Sequence, residues 1–353
     1  MRIVSIVGAR PQFVKLAPMH PEISRAHDHL VVHTGQHYDY EMSQIFFEEL
    51  DIPDPDYNLG VGSGTHGEQT GRMLTACEEV LIKERPDVVI VYGDTNSTLA
   101  GALAAAKLHL PVAHVEAGLR SFDMRMPEEV NRVLTDQLST ILLCPSRAGV
   151  GNLGNEGITE GVHLVGDTMI QVLLMIDHRL DRTALEGNGL SPGDYVLATV
   201  HRQSNADSRE NMESILGAMI DSGETVVLPL HPRTRRNLER WDMLSSLEGE
   251  ENLVLLPPQG FFSFISLEKH ARLIMTDSGG VQKEAFFFRV PCITLRESTE
   301  WVETVEDGWN VLVGADRDLI EREMTRAGPG MDDPTSYGDE RVCARIVDAL
   351  ETF

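Results

Sequence analysis

The stretch Leu273-Ile274-Met275-Thr276-Asp277-Ser278-Gly279-Gly280-Val281-Gln282-Lys283-Glu284 decides the fold, because it predicts a buried strand that turns directly into a helix. Strand–turn–helix units of this kind build parallel α/β sheets. The turn leaves backbone N–H groups free, and the positive end of the helix dipole favours an anion there. Because Ser278, Gly279 and Gly280 are small, a phosphate can approach these N–H groups. Glu284 follows about one helical turn later, where its carboxylate can bind sugar hydroxyls.

Short apolar runs alternate with amphipathic segments along the whole chain, which predicts two doubly wound parallel sheets and an α/β fold. The predicted strands of the first sheet are Ile3–Val7, Leu30–His33, Val88–Tyr92, Val112–Val115 and Ile141–Cys144. Those of the second are Tyr195–Thr199, Val226–Leu230, Leu253–Leu256, Leu273–Thr276 and Cys292–Leu295. Glycine and proline interrupt the chain between Gly166 and Pro192, so we place the domain boundary in that region.

Composition narrows the classes of partner and the compartment. The 353 residues include 55 acidic and 30 basic side chains, a formal charge of −25 that disfavours nucleic acid and anionic membranes. The acidity suits either a salty cytoplasm or simply an acidic surface. No apolar run approaches the roughly 20 residues that span a bilayer. The four cysteines are far apart and form no C-x-x-C pair, which favours a reducing cytoplasm over disulfide or zinc scaffolding.

The first strand is followed by Gly8-Ala9-Arg10-Pro11-Gln12, which lacks the G-x-G-x-x-G fingerprint of dinucleotide-binding folds. The second predicted strand ends without a ribose-binding acid. A bound NAD is therefore not expected, and we predict no cofactor. Arg10 and Lys15 are interpreted as cations that approach a phosphate or a leaving diphosphate, although surface cations near a loop would read the same way.

Carboxylates recur where predicted strands of the first domain end. Asp94 follows one strand, Glu116 follows the next, and Glu128 comes soon after in Met126-Pro127-Glu128-Glu129. Open α/β sheets bind ligands outside the carboxyl ends of their strands, so these acids are expected at a cleft between the two domains. Asp94 could instead cap a helix, and Glu128 could pair with Arg132 four residues on. Three acids at one sheet edge favour proton transfer.

The second domain places His201 and His231 after two predicted strands. Neither has metal-ligand spacing to another histidine, and no cysteine or aspartate cluster accompanies them, so we predict no metal site. Phosphate contact or proton transfer suits them better, with plain structural histidines as the alternative. The run Phe261-Phe262-Ser263-Phe264 is interpreted as mostly core, with one ring available to a flat base.

Taken together, these motifs make the chain resemble the non-hydrolysing UDP-N-acetylglucosamine 2-epimerases over essentially its full length. The matching stretches, in order, are GARPQFVK (8–15), HTGQH (33–37), YGDTNSTLAGALAA (92–105), VEAGLRS (115–121), MPEEVNR (126–132), TVHR (199–202), HPRT (231–234) and TDSGGVQKEA (276–285).

The resemblance implies two Rossmann-like domains that face a central cleft, as in glycosyltransferase-B folds. Residues 1–166 would form the first, residues 167–337 the second, and a C-terminal helix within 338–353 would cross back onto the first. It further implies a cytoplasmic homodimer that takes a UDP-sugar, needs no redox cofactor, and serves cell-surface polysaccharide biosynthesis. The implied reaction converts UDP-N-acetylglucosamine to UDP-N-acetylmannosamine by anti elimination of UDP, through a 2-acetamidoglucal, and re-addition.

Residue roles follow from the same resemblance. The positions that match the family's catalytic groups are Asp94, Glu116, Glu128 and His201. Those that match its diphosphate, sugar or nucleotide contacts are Arg10, Lys15, Arg132, His231, Phe264, Ser278, Gly279, Gly280 and Glu284. Gln36, His37 and Gln69 lie in segments that hold a regulatory second substrate in some bacterial members.

One departure from the family concerns the sugar. Many members read T-E-R-P-E where this chain has Thr299-Glu300-Trp301-Val302-Glu303, and this segment resembles a branch that acts on UDP-2,3-diacetamido-glucuronate. Arg125 would then bind a sugar carboxylate or simply face solvent. Other open alternatives are a hydrolysing epimerase, a glycosyltransferase of the same architecture, and a non-catalytic nucleotide-sugar-binding protein.

Overall fold

The computed structural model describes residues 1–37, 44–180, 182–331 and 336–353. The chain divides into two compact units, one formed by Met1–Ile176 with Thr335–Phe353 and the other by Asp177–Pro334. Each unit contains one parallel sheet with helices packed against it.

The first unit contains the strands β1 (Arg2–Val7), β2 (Asp28–His33), β3 (Tyr57–Asn58), β4 (Val88–Tyr92), β5 (Val112–Val115), β6 (Ile141–Cys144) and β7 (Val162–Leu164). Its helices are α1 (Arg10–Ser24), α2 (Gln44–Glu49), α3 (His66–Glu84), α4 (Asn96–Lys107), α5 (Pro127–Leu138), α6 (Arg147–Asn155), α7 (Thr168–Ile176) and the C-terminal α17 (Val342–Glu351). The strand order is β3-β2-β1-β4-β5-β6-β7, and every pairing is parallel.

The second unit contains the strands β8 (Val196–Thr199), β9 (Val226–Pro229), β10 (Leu253–Leu256), β11 (Leu273–Thr276), β12 (Cys292–Thr294) and β13 (Asn310–Leu312). Its helices are α8 (Thr183–Glu186), α9 (Gln203–Ala206), α10 (Arg209–Asp221), α11 (Pro232–Arg240), α12 (Leu244–Leu247), α13 (Phe261–His270), α14 (Gly279–Phe288), α15 (Val302–Glu306) and α16 (Arg317–Arg326). The order β10-β9-β8-β11-β12-β13 is again parallel throughout.

Central strands are buried on both faces because helices cover both sides of each sheet. All five residues of β4 are buried, as are all four of β5 and of β11. A strand in this position has no solvent face, so it reads as a continuous apolar run instead of an alternating one. These runs are the signal that predicted the fold class, and the two doubly wound sheets confirm it.

Both sheets reverse their winding at one point, between β1 and β4 in the first unit and between β8 and β11 in the second. Loops that leave two such strands diverge to opposite faces of the sheet, which opens a crevice at their carboxyl ends. The turns after β1 and β4 carry Arg10 and Asp94, and those after β8 and β11 carry His201 and Ser278. The fold therefore puts the candidate residues at the switch points.

The division between the units falls after Ile176, within the Gly166–Pro192 region and ten residues beyond the boundary at residue 166 that the resemblance implied. The intervening helix α7 packs against α1 and α17, so its apolar side chains belong to the first core. Helix α17 also contacts β6 of that unit. Within the described part of the chain, no helix is long and apolar enough to cross a membrane.

Candidate active site

The acids of the first unit lie where neighbouring strands end. Asp94 follows β4 and Glu116 follows β5, and these two strands pair along their full length. Helix α1 begins after β1 on the other side of β4 and carries Lys15. Because parallel strands end at the same edge, a short loop after each is enough to bring these side chains together.

Asp94 forms an ion pair with Arg132 of α5. Burial raises the pKa of the Asp94 carboxyl above its ordinary value, Arg132 and Lys15 oppose that rise, and Glu116 and Glu128 add to it. About a third of the side chain (32%) nevertheless remains exposed. A carboxyl that is held more readily in its protonated form, yet is open to solvent on one side, suits a group that gives and takes a proton.

Glu116 forms an ion pair with Lys15, and both side chains are close to nine-tenths buried. Its backbone adopts the left-handed region, with φ of 77°. This conformation is unfavourable for a residue with a Cβ and persists only where the surrounding structure maintains it. At Glu116 the chain leaves the extended conformation of β5, and the Glu116 carboxylate pairs with Lys15 of α1.

The adjacent residues Glu128 and Glu129 at the start of α5 differ in burial and in their partners. Glu128 is exposed, whereas Glu129 is buried and accepts hydrogen bonds from the backbone N–H groups of Ser121 and Phe122, both at 2.9 Å. Glu129 also pairs with Arg132 three residues on. The alternative of a Glu128–Arg132 salt bridge is therefore corrected: the recorded carboxylate partners of Arg132 are Asp94 and Glu129.

The loop after β1 is held by a side chain that the sequence did not single out. Gln12 is buried; its oxygen accepts the N–H of Gly8 at 2.7 Å, and its amide nitrogen donates to the carbonyl of Tyr92 at 2.9 Å. It thereby ties the first loop to the end of β4. Arg10 is exposed, with its guanidinium 4.9 Å from the centre of the Phe46 ring. Of the candidate cations in this unit, Arg10 extends to solvent while Lys15 and Arg132 are buried.

In the second unit, Ser278 is the N-cap residue of α14 and Gly279 its first residue. A Cβ added at Gly279 would lie 2.5 Å from a carboxylate oxygen of Glu300 and 3.3 Å from the indole nitrogen of Trp301, so a larger residue would have to displace the Glu300 carboxylate. Gly280 is exposed. Glu284 is partly buried on the next turn of the same helix. The predicted phosphate-binding turn is thus a true helix N-terminus with its small residues in place.

The segment with Trp301 is part of a charged cluster around this turn. The Lys283 ammonium lies 3.9 Å from the centre of the Trp301 ring. Burial alone would raise the pKa of Glu300, but Arg296, at 2.9 Å, and Arg202 hold it below its ordinary value. The position that is arginine in many family members therefore holds an aromatic ring here, with a buried cation stacked on it.

His201 is fixed through its backbone by Asp277, the first polar residue after β11. The buried carboxylate of Asp277 accepts the N–H groups of His201 and Arg202, each at 3.0 Å, and the amide of Asn205 at 3.2 Å. Sequence reasoning treated Asp277 only as part of the turn. The sequence signal for this role was the order Asp-Ser-Gly-Gly, because an aspartate just before a helix N-terminus can accept hydrogen bonds from several backbone N–H groups.

His231 is exposed, caps α11 through its Nδ1, and lies with its ring centre 5.5 Å from that of His201. Phe264 is partly buried and packs against the core cluster between β11 and α13. Across the described residues, no three His, Cys, Asp or Glu side chains are arranged to hold a metal ion. The four cysteines are buried and free.

Comparisons with known proteins agree on one family. A family model described as UDP-N-acetylglucosamine 2-epimerase matches residues 22–351. A UDP-N-acetylglucosamine 2-epimerase homolog of Methanococcus maripaludis is 52% identical over 357 residues, 100% of each chain. The UDP-2,3-diacetamido-2,3-dideoxy-D-glucuronate 2-epimerase of Pseudomonas aeruginosa is 49% identical over 361 residues, 99% of each.

Solved structures give the same result. The crystal structure of Methanocaldococcus jannaschii UDP-GlcNAc 2-epimerase in complex with UDP-GlcNAc and UDP is similar with a TM-score of 0.90 and 42% identity, and the match covers 100% of both chains. The Neisseria meningitidis UDP-GlcNAc 2-epimerase bound to UDP-GlcNAc has a TM-score of 0.90 at 30% identity, also over 100% of both. With a family model over most of its length and relatives near half identical, this chain belongs to the UDP-N-acetylglucosamine 2-epimerase family.

Proposed function

We propose that this protein interconverts UDP-N-acetylglucosamine and UDP-N-acetylmannosamine by inverting the configuration at C2. The observation that carries the proposal is the pair of strand-end carboxylates, Asp94 and Glu116, each joined to a buried cation. Epimerisation needs one group that removes a proton and another that returns one to the opposite face. Two carboxylates in neighbouring but unequal electrostatic environments meet that need.

The chemistry starts at C1 because the C2 hydrogen has no adjacent carbonyl to acidify it. As the C1–O bond to UDP breaks and the oxygen keeps the electron pair, positive charge at C1 makes C2–H easier to remove. A carboxylate takes that proton, and C1=C2 forms in 2-acetamidoglucal. Re-addition reverses the sequence, with the proton delivered to the other face of C2. No electrons are gained or lost overall.

Roles for the first unit follow from charge. Asp94, Glu116 and Glu128 handle the C2 proton. Lys15 and Arg132 keep the first two carboxylates paired in the resting state, and with Arg10 they are placed to stabilise the departing diphosphate. Cations that neutralise a leaving group lower the barrier to C1–O cleavage, which is the step that makes the C2 hydrogen removable.

Roles for the second unit follow from the start of α14. The backbone N–H groups at Ser278, Gly279 and Gly280 bind the diphosphate, and Glu284 binds ribose hydroxyls. His201 and His231 lie at the ends of β8 and β9 and contact phosphate or transfer a proton to it. Phe264 offers a ring to the uracil base. The enzyme acts in the cytoplasm as a homodimer in the synthesis of cell-surface polysaccharide.

A second substrate is favoured by a specific observation. The Pseudomonas aeruginosa relative that is 49% identical acts, by its name, on UDP-2,3-diacetamido-2,3-dideoxy-D-glucuronate, and this chain resembles that branch around Trp301. The Arg125 side chain is 90% exposed and forms an ion pair with Asp123 at 2.8 Å. A sugar carboxylate could displace Asp123 from it.

Separate incubation with each UDP-sugar, followed by proton and phosphorus NMR, tests the proposal. We expect UDP-N-acetylglucosamine to reach a mixture with its C2 epimer while the diphosphate signals are conserved. Free N-acetylmannosamine with UDP would instead identify a hydrolysing epimerase, and no conversion of either sugar would leave a glycosyltransferase or a binding protein.

The variant Arg125→Met tests whether Arg125 binds the carboxylate of the uronate. If the uronate is a substrate, Arg125→Met should slow its turnover and leave that of UDP-N-acetylglucosamine unchanged. Asp123→Asn is the matched control, because it frees Arg125 without removing it. Equal rates for Arg125→Met and wild type with the uronate would exclude Arg125 from sugar recognition.

A further inference from the structure

A buried ionic cluster that the proposed chemistry does not use lies next to both acid-bearing loops. His114 on β5 and Asp136 on α5 are fully buried, and the Arg120 side chain is 1% exposed. Arg120 also pairs with Glu156, which follows α6 and is 30% exposed. The Cys144 thiol on β6 also interacts electrostatically with Asp136 and Arg120. Burying so many ionisable groups is costly unless each charge is paired.

The hydrogen-bond partners of His114 determine its protonation. Its Nε2 lies 2.7 Å from the carbonyl oxygen of Gly93, which can only accept, so Nε2 carries a hydrogen. Its Nδ1 lies 2.7 Å from Oδ1 of Asp136. The other oxygen of Asp136 accepts from the backbone N–H of Gly118 at 3.1 Å and from Arg120 at 2.6 Å. Donors surround this carboxylate, so Nδ1 carries a hydrogen as well.

The charges of the cluster support an imidazolium. Burial alone would raise the pKa of Asp136, but His114 and Arg120 together lower it below its ordinary value, so the carboxylate is ionised. The cations His114 and Arg120 then balance the anions Asp136 and Glu156. A neutral imidazole would point a lone pair at either the carbonyl or the carboxylate.

We infer that the buried His114–Asp136 ion pair is the positioning element for both strand-end acids of the first unit. On one side, His114 holds the carbonyl of Gly93, the residue directly before Asp94. On the other side, Asp136 holds the N–H of Gly118, two residues after Glu116. The consequence for catalysis rests on the function proposed above.

The loop after β5 needs such a constraint because Glu116, which carries a Cβ, is left-handed with φ of 77°. Gly93 and Gly118, with φ of 62° and 79°, adopt the same region freely because they are glycines. A Cβ at Gly118 would collide with the backbone of Gly149, so this loop also fits closely against α6. Conformations of this kind persist when fixed partners hold them. A shift of about 1 Å in a catalytic group can cost roughly 10²-fold in rate.

The protonation of His114 can be measured on the unmodified protein. In histidine-labelled enzyme, nitrogen–proton NMR should show a His114 ring whose two nitrogens both carry hydrogen, because both hydrogen-bond partners are acceptors. His114→Phe assigns the signal among the 13 histidines by removing it. A His114 ring with a bare Nδ1 would overturn the imidazolium. This result does not depend on which sugar is turned over.

The positioning role is tested by kinetics of His114→Phe, which removes the hydrogen bond to the Gly93 carbonyl, and of Asp136→Asn. We expect kcat to fall about 10²-fold with UDP affinity unchanged, because the acids are misplaced while the nucleotide site is intact. Misplaced acids should also release more 2-acetamidoglucal per epimerisation.

That released fraction is a ratio, so it does not change if part of the variant is unfolded. Exposed His178→Gln is the control and should match wild type. If both variants epimerise with wild-type kcat and an unchanged released fraction, the positioning role is wrong. If wild type itself does not epimerise, the proposed function fails, while the NMR result still decides the state of His114.

Discussion

At the residue scale, two adjacent glutamates of α5 differ in burial and in their partners. Glu128 is exposed at the start of α5, and its neighbour Glu129 is 1% exposed and accepts two backbone N–H groups and Arg132. Sequence pattern favoured Glu128 because it matches the family's acid. The structure adds that the next residue, Glu129, pairs with Arg132, which is the ion-pair partner of Asp94.

Glu128→Gln and Glu129→Gln form a matched pair with opposite expectations. Glu128→Gln should reduce turnover at least about 10²-fold and change the free energy of unfolding by less than about 0.5 kcal/mol, as surface substitutions do. Glu129→Gln should lower that free energy by about 3 kcal/mol, because it leaves a buried cation with one partner fewer. Urea unfolding and turnover measure both. Normal turnover by Glu128→Gln would remove it from the site.

The residues that sequence pattern identifies are those at strand ends, and those it misses are buried partners. Asp94 and Glu116 could be predicted because each follows an apolar run. Asp277 and Asp136 could not be assigned their roles, because their partners His201 and His114 are 76 and 22 positions away in the chain. Such pairings depend on tertiary packing, which local periodicity does not encode.

At the scale of single elements, the central strands were predicted almost to the residue, for example β4 and β5, because double burial makes them continuous apolar runs. The edge strands β3, β7 and β13 were not predicted. They are two or three residues long and partly exposed, so they show neither an apolar run nor alternation. Helix starts have a clearer sequence signal, since capping residues such as Ser208 and Asp316 mark them.

The first turn of α14 yields a prediction for nucleotide binding. Gly279→Ala places a methyl group 2.5 Å from a carboxylate oxygen of Glu300, so this carboxylate must move and its ion pair with Arg296 is disturbed. We expect a loss of about 1–3 kcal/mol in the free energy of unfolding together with weaker UDP binding. Calorimetric titration with UDP and thermal unfolding measure these effects.

Gly280→Ala is the control for stability, because its added methyl would meet nothing nearer than the Ser278 hydroxyl at 3.9 Å. An alanine there should leave the stability unchanged or slightly higher, since alanine favours helix. Equal stability and equal UDP affinity of Gly279→Ala and wild type would show that Glu300 does not constrain the turn.

At the scale of the whole molecule, buried neutral histidines make stability depend on pH. Burial lowers the pKa of His29 from 6.5 to about 3 and that of His33 to about 4. Below 6.5 the unfolded chain binds protons at these positions and the folded chain does not. The free energy of unfolding should therefore fall as pH drops from 6.5 towards these values, by about 1.4 kcal/mol per pH unit for each group.

The variant His29→Gln should reduce this slope by one group, which urea unfolding over about two pH units below 6.5 would detect. Carboxylates such as Asp136 and Glu300, whose pKa values are lowered, lose their contribution only further down, below 3.8 and 4.5. A slope that His29→Gln does not change would mean that His29 accepts a proton in the folded state.

The central claim is that departure of UDP from C1 is what allows the C2 proton to be exchanged at the acids of the first unit. The most direct measurement is turnover of UDP-N-acetylglucosamine in deuterated water, followed by NMR of the UDP-linked product. The account predicts deuterium at C2 in the epimer with the UDP linkage present. An epimer that retains its original C2 hydrogen would contradict it.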